Sequence, residues 1–143
     1  HMFRRIFVAS AMAFTALSAV AAPAASDAQT HFQAIAAGDV AAVMHGYADA
    51  AHFVWVGGPL DGTYTGVDAI RQVWEKFTKS QGTMKVAVDK VEEASNPKGS
   101  SVTANVTFQG KQPIKVRYVL TYRDNKIVSE TWQIDPKLGP ATY

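Results

Sequence analysis

Between Ala36 and Phe77 the chain runs AAGDVAAVMHGYADAAHFVWVGGPLDGTYTGVDAIRQVWEKF. A short helical pattern, a β-rich run, a glycine-rich turn and a second amphipathic helix follow one another there. Gly38, Gly57-Gly58-Pro59, Gly62 and Gly66 punctuate them. Glycine reaches backbone conformations that other residues resist and proline cannot donate a backbone hydrogen bond, so each cluster ends the element before it. The strands predicted downstream bury their apolar faces only by curling over these helices. That order points to a cone-shaped α+β domain with an internal cavity.

Asp27 reads as the N-cap of a first helix through Ala37, with Phe32, Ile35 and Ala36 at helical spacing. Gly38 ends it. Asp39 caps a second helix from Val40 to Tyr47, whose apolar stripe is Val43, Met44 and Tyr47. A strand is predicted over Ala51 to Val56. A longer helix runs from near Asp68 to about Lys79, its core face being Ile70, Val73, Trp74 and Phe77. Gly57 to Gly66 between them reads either as a mobile lid over the cone mouth or as a plain connection.

From Met84 the apolar period becomes two. Val102, Ala104, Val106 and Phe108 share one face, as do Ile114, Val116, Tyr118, Leu120 and Tyr122. Asn96-Pro97-Lys98-Gly99 and Gly110 to Pro113 are turns, and Asp124-Asn125 makes a tight hairpin into a last strand, Lys126 to Ile134. The expected order is α-α-β-α-β-β-β-β.

The N-terminus reads as a leader. His1 resembles a cloning scar. Met2-Phe3-Arg4-Arg5 is a basic start, Ile6 to Val20 is largely apolar, and Ala22-Pro23-Ala24 offers small residues for a signal peptidase. Cleavage is expected after Ala24, with Ala22 as the alternative, leaving one domain over residues 25–143. The apolar core of about 15 residues is shorter than the roughly 20 needed to span a bilayer. A periplasmic or secreted protein follows, with no membrane association after cleavage. Removing Arg4 and Arg5 leaves twelve basic against twelve acidic residues. A near-neutral domain is a poor partner for nucleic acid, which needs a net basic face. Cysteine is absent, so disulfides and thiolate metal sites are excluded.

Ala37-Gly38-Asp39, Tyr47-Ala48-Asp49, Gly66-Val67-Asp68-Ala69-Ile70 and the hairpin from Tyr118 to Ile134 stand in an order and spacing that carry a resemblance. The chain is similar to the nuclear transport factor 2-like superfamily, as an exported bacterial member; the superfamily includes ketosteroid isomerases and SnoaL-like polyketide cyclases. The resemblance covers nearly all of residues 25–143. It implies an α+β, cystatin-like roll: a curved, cone-shaped antiparallel or mixed sheet wrapped around three N-terminal helices. Members are isomerases, cyclases, hydrolases, dehydratases or association modules, so fold does not give function. The tyrosine that ketosteroid isomerases carry seven residues before the helix-ending glycine is here His31. Their general-base aspartate, seventeen residues after that glycine, is Trp55, and their oxyanion-hole aspartate aligns with Tyr118.

The candidate site is therefore His31, Trp55 and Tyr118, with His31 and Tyr118 as the candidate catalytic pair. Histidine exchanges protons near neutral pH and a tyrosine hydroxyl can hold a substrate oxygen. Alternatively, His31 lies on the exposed side of its helix and Tyr118 is a core residue with a satisfied hydroxyl. Tyr47, Phe53, Trp74 and Trp132 join the ligand-binding candidates, although these residues, with Phe77, Phe108 and Tyr122, also have core spacing. His45, His52 and Asp49 lack ligand spacing, so no metal is expected, and no cofactor either. His52, Val54 and Val56 face away from Phe53 and Trp55, an apolar outer face that suggests either a homodimer interface or cover by helix contacts. Lys115, Arg117 and Arg123 form an outer cationic row, with Glu130 and Asp135 as possible surface partners. The leading expectation is binding of a small apolar or aromatic molecule in the cone. Its alternatives are a cofactor-independent isomerase, cyclase or dehydratase using His31 as acid–base, and a ligand-free homodimeric association module.

Overall fold

A computed structural model of the chain describes residues 23–138. The leader reading falls on residues 1–22, outside the described residues, except for Pro23 and Ala24. Helix α1 spans Ala24–Ala37 and α2 spans Val40–His45. The third helix, α3, spans Val67–Gln81; strands β1 (Tyr47–Val56) and β2 (Gly62–Thr65) precede it, and β3 (Lys85–Asn96), β4 (Gly99–Gln109), β5 (Pro113–Arg123) and β6 (Lys126–Ile134) follow. One sheet carries them in the order β2-β1-β6-β5-β4-β3. The β1–β6 pairing is parallel and every other is antiparallel, so the sheet is mixed.

Three local expectations change. Asp27 is not the N-cap of α1: the helix starts three residues earlier behind Pro23, and Asp27 sits in its first turn, where a carboxylate still meets the positive helix end. Tyr47 does not end α2. Gly46 stops that helix, and its carbonyl accepts from the Ile127 N–H at 2.8 Å, which starts the chain along β6 four residues before the predicted strand. Gly57 to Gly66 is not wholly a connection, because Gly62–Thr65 pairs with β1. Asp39 does cap α2, accepting from the Ala42 N–H at 3.1 Å.

The sheet bends where its register slips. Shifts occur between Tyr47 and His52 on β1, between Asp89 and Glu92 on β3, and between Thr121 and Tyr122 on β5 against β6. Extra residues at such points sharpen the twist of a strand pair. On β6 the slip places Ile127, Glu130, Trp132 and Ile134 all on the buried side. The α+β cone is closed by Phe32 and Ile35 from α1 and by Ile70, Val73, Trp74 and Phe77 from α3. Each such side chain, removed from water, contributes roughly 1.5–3 kcal/mol.

Candidate functional site

A carboxylate lies at the centre of the cone. Glu130 is fully buried, and its position follows from parity: Trp132 and Ile134, two and four residues on, are inward-facing, so Glu130 is too. This corrects its reading as a surface partner of Arg117 and Arg123. Arg117 instead meets Asp135 at 3.5 Å, and the Arg123 guanidinium donates to the Lys98 carbonyl at 3.2 Å.

Three elements bring donors to Glu130. Tyr47, at the start of β1, donates its hydroxyl proton to Oε1, and Tyr118 of β5 donates to Oε2. Tyr118 pairs directly with Trp132, so Glu130 is its diagonal neighbour, within reach of a long side chain. His31 of α1 places Nε2 at 2.8 Å from Oε2. Behind them, the Trp74 Nε1–H of α3 donates to the Tyr47 hydroxyl at 2.8 Å. Indole nitrogen only donates, so the Tyr47 proton is left for the carboxylate. Burial, and then the negative charge of Glu130, hold the hydroxyls of Tyr47 and Tyr118 well above the ordinary tyrosine range. Both therefore remain donors at any pH near neutrality. Because Oε2 is an acceptor, the His31 proton sits on Nε2, and Nδ1 has no partner among the described residues.

Next to this polar knot is an aromatic layer. Trp55 stacks on Trp132 with ring centroids 4.3 Å apart, and Phe108 covers the other side of Trp132 at 5.1 Å. Phe53 stacks on Trp74 at 5.3 Å, and Phe77 meets Trp55 and Trp132 edge-on, each at 5.2 Å. Such geometry adds about 0.5–1.5 kcal/mol per pair beyond burial. Among the described residues, the buried Trp132 Nε1–H has no partner, and neither does the Tyr122 hydroxyl.

Two openings flank these layers. At the cone mouth a cleft of about 410 Å³ is floored by Trp55, Phe77, Trp132 and Ile134. Leu60 and Ile114 wall it. The Gly57–Asp61 loop on that wall is pinned by its own bonds: the Gly57 N–H donates to the Asp61 carboxylate at 2.8 Å, and the Tyr64 hydroxyl donates to the Leu60 carbonyl at 2.6 Å. On the other side His31 and Tyr122 line a crevice of about 430 Å³ with Asp27, His45 and Lys126.

The sequence-predicted site residues thus divide. His31, Tyr47, Trp74 and Tyr118 meet, but around Glu130. Trp55 and Trp132 line the mouth cleft, and Phe53 packs between the two groups. Glu130 is the residue sequence reasoning missed, and its spacing to Trp132 and Ile134 was the available signal.

The arrangement of helices inside a bent mixed sheet has known counterparts. The profile of the SnoaL-like domain matches residues 28–130. The chain belongs to the SnoaL-like domain family. Its fold is that of the NTF2-like proteins. A structure of an NTF2-like protein of unknown function from Pseudomonas putida KT2440 superposes with TM-score 0.65 at 17% identity, over 73% of this chain and 79% of that one. A candidate dehydratase of the NTF2-like family from Streptomyces avermitilis gives 0.64 at 13% identity, over 75% and 89%. A protein of unknown function with a cystatin-like fold from Nostoc punctiforme also gives 0.64, at 12% identity over 76% and 86%. At these identities the likeness is one of fold. No curated protein matches the chain.

Proposed function

We propose that this SnoaL-like domain binds a small apolar or aromatic molecule at the mouth of the cone. The supporting observation is the cleft of about 410 Å³ whose floor is Trp55, Phe77 and Trp132. That size and apolar lining suit a small-molecule site. The His31 and Tyr118 anchors expected from sequence are occupied by Glu130, so the ligand is held by the aromatic layer instead. The leader reading puts this activity in the periplasm or outside the cell, and the outward row of His52, Val54 and Val56 supports a homodimer.

Native mass spectrometry of gently purified protein tests the reading, with Ser80→Trp as comparison. Ser80 is an exposed wall residue, and an indole there fills the cleft. Expected is a small-molecule adduct on the wild type that is lost in Ser80→Trp while the far-UV circular dichroism is unchanged. An adduct undiminished in Ser80→Trp overturns the reading.

A second reading, acid–base chemistry of isomerase, cyclase or dehydratase type, is favoured by one contact. Glu130 holds the His31 imidazole by its Nε2–H at 2.8 Å, as a carboxylate orients a catalytic histidine. His31→Gln separates the readings. It leaves cleft binding intact under the first, and it abolishes conversion of a bound compound under the second.

A further inference from the structure

The charge around the mouth cleft narrows the ligand class, an inference that rests on the binding reading above. Among the described residues lining the cleft, the charged ones are Lys76 and Lys111. Both are exposed, and among the described residues neither stands within ion-pair distance of a carboxylate. Of the acidic residues next in sequence to the lining, Asp61 accepts from the Gly57 N–H, Asp135 meets Arg117, and Glu75 lines a separate crevice with Val40, Met44 and Arg71. An apolar floor is thus bordered by two cations that have no carboxylate partner among the described residues.

We infer that the cleft takes a small aromatic carboxylate, its ring on the floor of Trp55 and Phe77 and its anionic head toward Lys76 and Lys111. A neutral ring would gain the same apolar contact and none of the charge. A cationic one would be repelled by both ammonium groups. Opposite charges at a rim beside low-dielectric walls attract more strongly than in open water, and salt weakens that attraction.

Isothermal titration calorimetry with 2-naphthoate and its neutral isostere 2-naphthamide tests this at pH 7. The expected result is about a tenfold preference for the carboxylate at low salt, equivalent to about 1.4 kcal/mol. The preference shrinks in concentrated NaCl and vanishes in Lys76→Gln/Lys111→Gln. Equal binding of the two probes by the wild type, or a preference that survives the double substitution, overturns the carboxylate assignment and leaves the binding reading standing. Binding of neither probe, with Ser80→Trp keeping its adduct, overturns both.

Discussion

Tyr47 and Tyr118 make the same kind of bond to the same carboxylate, yet removing their hydroxyls should have unequal costs. Tyr118→Phe deletes one donor to Glu130 Oε2, which keeps His31 at 2.8 Å. A hydrogen bond to a charged group is worth about 1.5–3 kcal/mol. Tyr47→Phe deletes the equivalent bond at Oε1, and it also takes away the acceptor of the Trp74 Nε1–H. Trp74 is fully buried, so that donor finds no water. Leaving it unpaired adds about 1–3 kcal/mol. The expected losses are about 2 kcal/mol for Tyr118→Phe and about 4 kcal/mol for Tyr47→Phe.

Urea unfolding followed by far-UV circular dichroism measures both against the wild type. The gap of about 2 kcal/mol corresponds to roughly 8 °C in Tm for a domain of this size. Adding Trp74→Phe to each background isolates the cause. With Tyr47→Phe already present, the second substitution no longer breaks a hydrogen bond, so it should cost about 1–2 kcal/mol less than in the wild type. Equal losses for the two tyrosines, or strict additivity with Trp74→Phe, would refute the account of the indole as a satisfied donor within the Glu130 network.

Alkaline stability follows from the same hydroxyls. Their pKa values are raised on folding, so stability is complete below the unfolded tyrosine value of about 10 and falls as pH rises beyond it toward the folded values. Melting temperatures from pH 8 to 11.5 should show that decline, with Tyr118→Phe shallower by about 1.4 kcal/mol per pH unit. A tyrosinate absorbance at 295 nm that rises fully before the fold is lost would contradict it. Gly99 tests the backbone: a Cβ there would lie 2.4 Å from the Tyr122 carbonyl oxygen on the neighbouring strand. Gly99→Ala should cost more than 2 kcal/mol, on the order of an overpacked core site. Gly38→Ala, at the left-handed φ 73°, ψ 21° with no atom nearer its Cβ than 3.9 Å, should cost about 1 kcal/mol; equal melting temperatures for the two variants would exclude a close approach at Gly99.

The elements were legible where one physical signal dominated. Alternation over Ile114 to Tyr122 and over Val102 to Phe108 gives β5 and β4 with the inner faces the structure has, because these two strands pair with each other in unbroken register. The Ile70, Val73, Trp74 and Phe77 stripe gives α3 its buried side. Asp124-Asn125 turns the last hairpin with both residues at positive φ, the conformation that such short turns require. Misreadings cluster where two signals compete. Tyr47 continues the helical stripe of Val43 and Met44, but Gly46 intervenes and pairing with β6 captures the backbone.

Glu130 shows the same competition with larger consequences. Counting inward positions from Ile127 by twos puts Glu130 on the outer face; counting back from Ile134 and Trp132 puts it inside. Both counts are correct locally, since the register slips between them. A charged residue biases the choice toward solvent, because an unpaired buried carboxylate is very costly. That cost is removed only by tyrosines and a histidine from α1, β1 and β5, contacts separated from Glu130 by 99, 83 and 12 residues. Local pattern carries no information about such partners. The candidate side chains His31, Tyr47 and Tyr118 could be picked out individually by type and spacing, whereas the carboxylate that organises them becomes visible only once the strands are folded against one another. The buried acid and its three donors in turn meet the stacked tryptophan layer through Tyr118 and Trp74, which lie 5.8 and 5.9 Å from Trp132, so the residue that floors the mouth cleft is seated by the same network.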